Sequence, residues 1–316
     1  MMLLDYHNST IEDTLLRLFY KIWRPEPLDM RFHDFSGISY HISTPDEDRL
    51  EQLRLSIQWD CWAQLVQHGA REILEREYGP WIIMPPEEGT DFTLQFTLED
   101  LVRDNDPEEV IRNVALLRRN ALSGAFERAF GAQAQAKEEN DPNFNPNEVE
   151  FMRIDCHRDE RMYIRHHLDW TTAIIGIGLD DLDEVDRMFV KMMFEELKHR
   201  SRIRWNYERA PYINHAKLEP PPEIQQRDEV LHDSSRCRAY ISFRILPCHI
   251  ATKKAREDVI SQIMIFGNFL QHHLKCAKGS LNTRMRRDFD GLLKQLSRTR
   301  QNYTPPPRAV IFRRER

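Results

Sequence analysis

The stretch from residue 266 to 300 constrains the fold more than any other part of the chain. Its sequence, FGNFLQHHLKCAKGSLNTRMRRDFDGLLKQLSRTR, carries apolar residues at the spacing of an α-helix. Five of these recur at intervals of four, four, three and four residues: Leu281, Met285, Phe289, Leu292 and Leu296. The pattern predicts one or two long helices with a single apolar stripe, suited to docking on another protein.

Cations occupy much of the remaining surface of this predicted helix. They are Lys275, Lys278, Arg284, Arg286, Arg287, Lys294, Arg298 and Arg300. Residues 251–316 hold 15 Lys and Arg against 5 Asp and Glu, whereas the other 250 residues hold 30 against 46. This asymmetry indicates a face that meets an acidic polymer: nucleic acid, a membrane surface or an acidic filament. Ordinary surface helices are also often cationic, so charge alone leaves the matter open.

Length and composition limit the class of protein. A chain of 316 residues with 41% hydrophobic residues can form about two domains with packed cores. No apolar run approaches the roughly 20 residues of a membrane span, and the first residues lack the basic region of a signal peptide. Five cysteines without a CxxC pair favour free thiols in a reducing cytoplasm.

Two successive sheet-plus-helix patterns predict an α+β fold. In the first, a capping box at residues 9–12 starts a helix to about Trp23, and residues 61–78 form a helix interrupted at Gly69. Strands are predicted from alternating apolar residues around 38–42, 53–59 and 92–98. A long amphipathic helix follows from Pro107 to about residue 129, packed on the sheet.

The second pattern begins after residues 131–148, which are polar and predicted to form a linker or loop. Strands are expected near 149–154, 161–164, 170–177 and 238–246, with helices at 183–200 and from Lys253. The first of these helices is expected to point five side chains inward: Met188, Phe189, Met192, Met193 and Leu197. We predict two similar domains with mainly antiparallel sheets, at 1–133 and 149–301, joined by 134–148 and followed by a tail at 302–316.

No catalytic, cofactor or metal motif stands out. The Gly176-Ile177-Gly178 stretch lacks the third glycine of a dinucleotide site, and no phosphate-binding GxxxxGK[ST] is present. His272 and His273 are adjacent on a predicted helix and point about 100° apart, which disfavours one shared ion. We therefore expect no enzyme activity, cofactor or metal. An enzyme of unrecognised type and a nucleic-acid-binding protein that uses the basic helix remain alternatives.

A second basic cluster, KHRSRIR, occupies residues 198–204 at the end of the predicted second-half helix. Cations are favoured at helix C-termini, which accounts for two or three of them. Five in seven residues exceed that need, so a charged partner remains possible on sequence grounds.

The order of short motifs across nearly the whole chain resembles the family of subunit 2, the large scaffold subunit, of the actin-related protein 2/3 complex. The motifs are FHDFSG at 32–37, YHIS at 40–43, LRRN at 117–120, EPP at 219–221, YISF at 240–243, HLKC at 273–276 and TRMR at 283–286. The sequence departs from the family at Cys248, where Arg is frequent, in the length of 131–148, in extra residues at 198–209 and after Gln301.

The resemblance implies a scaffold in the complex that nucleates branched actin filaments in the cytoplasm, at the cortical actin cytoskeleton. Its long C-terminal helix would pack on the smaller subunit 4, forming a core for the two actin-related subunits, without nucleic acid or an integral membrane anchor. The stripe of Leu281, Met285, Phe289, Leu292 and Leu296 would be the subunit interface. The side of the mother filament would meet Lys198, His199, Arg200, Arg284, Arg286, Arg287 and Lys294.

Overall fold

The computed structural model describes residues 6–21, 26–34, 37–46, 48–101, 106–139, 144–145, 148–157, 160–178, 183–203, 211–225 and 238–298. The helices are α1 (Ser9–Tyr20), α2 (Trp62–Gln67), α3 (Ala70–Tyr78), α4 (Pro107–Ala115), α5 (Leu117–Glu139), α6 (Glu184–Ile203), α7 (Pro222–Gln225), α8 (Lys253–Met264) and α9 (Phe266–Arg298). The strands are β1 (Asp29–His33), β2 (Ser39–Ser43), β3 (Gln52–Gln58), β4 (Phe92–Thr97), β5 (Met152–His157), β6 (Glu160–His166), β7 (Thr171–Gly178), β8 (Tyr212–Lys217) and β9 (Arg238–Ile245).

Two antiparallel sheets organise the chain and confirm the predicted α+β class. The first has the order β1-β2-β3-β4, and the second has the order β5-β6-β7-β9-β8. Alternating burial aligns core residues across strands, as where Leu55 pairs with both Ile42 and Leu94. The central strand β7 is buried along nearly its whole length, as expected for a strand covered on both faces.

The chain divides into two compact units, residues 1–271 and 272–316, which we call the first and second units. Both sheets belong to the first unit, and polar contacts join their surroundings. The Trp59 indole donates a hydrogen bond of 3.0 Å to the carbonyl of Cys156, and the Thr171 hydroxyl donates one of 2.8 Å to the Gln133 side chain. A division into domains at 1–133 and 149–301 stays a prediction.

The start of the chain differs slightly from its predicted capping. Asn8, not Ser9, is the N-cap of α1, and its side chain accepts hydrogen bonds from the amides of Thr10 and Ile11. Asparagine and serine are about equally favourable N-cap residues, so either Asn8 or Ser9 could have capped the helix. Glu12 pairs with Arg112 at 3.3 Å instead of reaching back to the cap. The helix ends at Tyr20, and Trp23 lies outside the described residues.

The predicted helix from Pro107 is two helices, because α4 ends at Ala115 and α5 begins at Leu117. The first half of α5 is also not amphipathic. Residues 119–126 are all buried, since this part of the helix packs against α3 and α8 and against strands of the second sheet. A helix buried on all sides shows no polar face. The helix continues to Glu139, so the predicted linker at 131–148 is wrong over 131–139.

The inward face predicted for α6 is also wrong in part. Met188 is 55% exposed and Met192 is 60% exposed, whereas Val190 and Phe194 are buried. Both pairs have a spacing of four, but they lie about 200° apart on the helix, and the prediction mixed the two faces. Strands β1 and β8 were not predicted, because they are sheet edges whose side chains are mostly not buried.

Candidate protein-binding surfaces

The predicted apolar stripe lies along α9 and is largely exposed. Met285 is 60% exposed, Phe289 is 59% and Leu292 is 49%, while Leu281 is half-buried. The side chain of Leu296 lies outside the described residues, although its backbone belongs to α9. Soluble chains rarely expose contiguous apolar surface without a binding role. The stripe is therefore a candidate protein-binding surface, which we call the α9 stripe.

Leu293 extends the α9 stripe and was missed by the sequence analysis. It is 47% exposed and follows Phe289 at a spacing of four residues. At about 100° per residue it lies about 40° from Phe289, so it widens the stripe on one side. The spacing of four could have identified it, but the prediction followed one narrow row of side chains.

Cations surround the α9 stripe in a regular way. Arg284 and Arg286 are the immediate neighbours of Met285, so they flank the stripe on its two sides. Arg287 and Lys294 point away from the stripe, on the opposite face of the helix. The structure shows all four side chains as exposed, with Arg287 3.8 Å from Asp288. Helix α9 thus has an apolar face and, opposite to it, a cationic face.

The second predicted cluster, Lys198, His199 and Arg200, lies in the last turns of α6, as the predicted helix at 183–200 implies, and the helix continues to Ile203. Lys198 forms an ion pair of 3.2 Å with Glu195, and His199 is exposed. The side chain of Arg200 lies outside the described residues. This cluster belongs to the first unit, whereas the α9 cations belong to the second, so the structure describes the two groups separately.

Met188 and Met192 add an apolar component to the α6 cluster. Both are exposed, and their spacings of eleven and seven residues to His199 place all three within about 20° of one line along the helix. This surface was not predicted, because the helical spacing of both methionines placed them in the core. We call Met188, Met192 and His199 the α6 face.

The described part of the chain was also searched for metal sites, membrane-spanning helices and disulfides. No group of three or more His, Cys, Asp or Glu is placed there to hold a metal ion. No helix within the described ranges has the length and apolarity that a membrane crossing requires. Four cysteines are free thiols, namely Cys61, Cys156, Cys248 and Cys276, and Cys237 lies outside the description.

Comparison with known proteins identifies a family for this arrangement. The family described as "Arp2/3 complex, 34 kD subunit p34-Arc" matches residues 55–303. A protein named "Actin-related protein 2/3 complex subunit 2" from Schizosaccharomyces pombe is 29% identical over 309 residues, which is 95% of this chain and 94% of the relative. A protein of the same name from Dictyostelium discoideum is 26% identical over 303 residues, with the same coverage. The match spans both sheets from β3 onward as well as α9, and the chain therefore belongs to the p34-Arc family.

Proposed function

We propose that this chain is a non-catalytic scaffold subunit of the actin-related protein 2/3 complex that also binds the side of an actin filament. The relatives named as subunit 2 of that complex are similar to this chain over nearly their whole length. This similarity supports membership in a heteromeric assembly that nucleates branched actin. The chain would act in the cytoplasm, at cortical actin structures. The exposed stripe on α9 is the observation that supports this role most directly.

The α9 stripe supports a permanent protein interface. Covering a half-exposed Met, Phe or Leu side chain contributes about 1 kcal/mol, so the four exposed members Met285, Phe289, Leu292 and Leu293 together contribute several kcal/mol. An α-helix of 33 residues is about 50 Å long, which suits side-by-side packing with a partner helix. We assign the stripe to the smaller subunit 4, and the pair forms the core that holds the two actin-related subunits.

The cationic surfaces suit the filament. Actin filaments are acidic polymers, and exposed cations steer association and set its salt dependence. We assign this role to Arg284, Arg286, Arg287 and Lys294 on α9 and to Lys198, His199 and Arg200 on α6. On α6 the exposed methionines of the α6 face would give the contact an apolar centre beside the charges.

Two reciprocal variants test the division of labour between these surfaces. Phe289→Asp should remove the chain from the purified complex while leaving its own fold intact, because the side chain is exposed in the free chain and a charge is costly once buried by a partner. Co-purification of all subunits from a tagged chain, with circular dichroism of the chain alone, provides the measurement. Normal recovery of the complex with this variant would reject the stripe as an interface.

The combined change Arg286→Glu and Arg287→Glu should act in the opposite way. The complex should assemble normally, yet co-sediment less with actin filaments and form fewer branches. The two variants control each other, since they lie within three residues on one helix. Loss of assembly in the charge-reversal variant, or unchanged filament binding at physiological salt, would contradict the assignment of these cations.

A further inference from the structure

Two buried thiols meet in the first unit, between the end of the first sheet and the edge of the second. Cys61 lies between β3 and α2, where it is the N-cap residue of the helix, and Cys156 lies in β5. They are 2% and 6% exposed. Residues 62–155 separate them in the sequence, so only the fold brings them together. The proposed function uses neither of them.

Hydrogen bonds fix the backbone on both sides of this pair. Just before Cys61, the Trp59 indole donates its 3.0 Å hydrogen bond to the Cys156 carbonyl. Just after it, the Gln64 side chain accepts a hydrogen bond of 2.7 Å from the Asp155 amide and donates one of 3.2 Å to the Asp155 carboxylate. The segment around Cys61 is therefore attached to β5 at the pair itself, through bonds in which neither thiol takes part.

The two thiols also contact each other directly. A hydrogen bond between the side chains of Cys61 and Cys156 raises the pKa of Cys156, and burial raises it further. The Cys61 side chain makes no capping hydrogen bond to α2, although N-cap side chains usually accept one. Strand β5 has an irregular register between Ile154 and His157, and such a bulge turns a side chain in a new direction. Both local departures from regular structure thus accompany the contact between the sulfur atoms.

This arrangement suits a disulfide. The bond requires two Cα atoms within about 7 Å of each other and Cβ atoms about 4 Å apart. Side chains whose thiols share a hydrogen bond reach this geometry by small rotations about their Cα–Cβ bonds. In the cytoplasm, where thiols are normally kept reduced, such a bond would mark oxidative conditions.

We propose that Cys61 and Cys156 are a redox-sensitive pair, which hydrogen peroxide converts into a disulfide within the folded chain. In the first step the Cys61 sulfur, as a thiolate, attacks one peroxide oxygen and becomes a sulfenic acid. The O–O bond breaks, and the leaving hydroxide takes up the thiol proton as water. In the second step the Cys156 sulfur attacks the Cys61 sulfur, the S–O bond breaks, and a second water leaves with the Cys156 proton. The two thiols lose two electrons and two protons, and the peroxide is reduced to water.

The state of the Cys156 thiol sets the order of these steps. Because its pKa is raised, Cys156 is protonated at neutral pH and is a poor nucleophile towards peroxide. Cys61 therefore reacts first, and Cys156 is the resolving thiol held next to it. Burial makes the reaction slow, since the oxidant enters only when the segment opens briefly. The pair thus responds to sustained oxidation and not to a short pulse.

The disulfide would tie the connection between β3 and α2 to β5, and it would close a long loop of the chain. Closing such a loop restricts the unfolded state more than the folded one. We expect oxidation to raise the urea midpoint of unfolding by about 1 M. Urea unfolding of the oxidised and the reduced chain, followed by circular dichroism, measures this shift.

Peptide mapping of the purified complex provides the direct test. The complex is incubated with millimolar hydrogen peroxide, its remaining thiols are blocked with N-ethylmaleimide, and it is digested without reductant. Mass spectrometry should find the Cys61 peptide linked to the Cys156 peptide. Cys248 and Cys276 are exposed and serve as internal controls, because neither should be linked to this pair. The same treatment in urea should lower the share of this linkage by about tenfold, since the contact is then lost.

Two variants distinguish the roles of the thiols. Cys156→Ser should leave a sulfenic acid on Cys61, which dimedone traps, whereas Cys61→Ser should leave Cys156 reduced. Cys248→Ser is the matched control and should form the linkage as the unchanged chain does. A linkage in the native complex with this pattern, together with the higher urea midpoint, supports the proposal. Absence of the linkage in the native complex, its formation only in urea, or a lower urea midpoint of the oxidised chain would overturn it.

Discussion

Gly124 lies at a close contact between α5 and the backbone that joins α2 to α3. A Cβ atom at this position would lie 2.4 Å from the carbonyl carbon of Gly69 and 2.6 Å from the amide nitrogen of Ala70. Gly69 itself has a φ of 97°, in the left-handed region that glycine adopts without strain. The two glycines thus allow α5 to touch the backbone between α2 and α3, and neither contact can yield by a side-chain rotation.

We predict that Gly124→Ala destabilises the chain by more than about 2 kcal/mol, because the backbone must separate to admit one methyl group. Gly131→Ala on the same helix is the control. No atom lies within 4 Å of its Cβ position, so the higher helix propensity of alanine should stabilise by up to about 1 kcal/mol. Urea unfolding followed by circular dichroism measures both. Equal effects of the two changes would refute the packing argument.

His167 is the second residue with a clear energetic consequence. It is buried, stacks on Trp170 with ring centroids 4.9 Å apart, and shares a hydrogen bond of 3.1 Å with the Thr172 hydroxyl. Burial, together with the nearby charges of Arg165 and Arg244, lowers the pKa of His167 to about 4. The ring is therefore neutral in the folded chain at neutral pH.

This shift gives a sign to the pH dependence of stability. Below about pH 6.5 the His167 side chain binds a proton in the unfolded chain but stays neutral in the folded chain. The free energy of unfolding therefore falls as pH decreases towards 4. His167→Gln should reduce this slope by up to about 1.4 kcal/mol per pH unit. Urea unfolding at about pH 7.5 and about pH 5.5 compares the two proteins. The pKa values of His68 and His166 are also lowered, mainly by burial, but both residues are present in both proteins. An identical slope would show that His167 does not titrate in this way.

Among the elements, periodicity predicted those with one buried face and failed for the others. In strands β2, β3 and β4 buried apolar residues recur at every second position, and this spacing identified the strands. Strand β1 has no fully buried side chain and therefore no apolar signal. Helix α5 is buried on all sides near its start. Its polar residues are therefore buried by tertiary packing, which the amphipathic pattern of the sequence does not predict. In α6 two apolar rows compete, and sequence alone cannot tell which row faces the sheet.

The two faces of α6 can be separated by a pair of substitutions. Met192→Asp should leave the stability of the chain within about 0.5 kcal/mol, because the side chain is exposed. Phe194→Asp should cost more than about 4 kcal/mol, because it buries an unpaired charge. Thermal unfolding of the two variants gives the comparison. A larger loss for Met192→Asp would restore the original inward assignment of the methionines.

At the scale of the whole molecule, sites on a single helix and sites built from several elements differ in whether the sequence alone could predict them. The α9 stripe and its cations lie on one helix, so helical spacing alone predicted their arrangement. A cavity of about 280 Å³ is lined by residues within 73–77, 119–127 and 253–260, which only the packing of α3, α5 and α8 brings together. No local pattern could reveal it. The α6 cluster lies between these cases, since its position at the end of a helix was predicted, but the exposed Met188 and Met192 on the same helix were not.

Charge asymmetry leads to a prediction for the assembled protein. Filament binding should weaken strongly between about 50 and about 300 mM salt, because exposed cations are screened over this range. Subunit assembly should persist, because apolar contacts on the α9 stripe depend little on screening. Co-sedimentation with actin filaments and size-exclusion chromatography measure the two properties on one sample. Release of subunits at the higher salt would mean that charge, not apolar surface, holds the complex together.

The exposed stripe on α9 also affects the abundance of this chain in the cell. An unassembled copy displays Met285, Phe289, Leu292 and Leu293 to solvent, a surface that chaperones and proteases treat as a sign of misfolding. We expect orphan copies to be removed quickly, so that the abundance of the chain follows that of the partner that covers the helix. Extra synthesis of this chain alone would then raise turnover and leave the number of complexes unchanged.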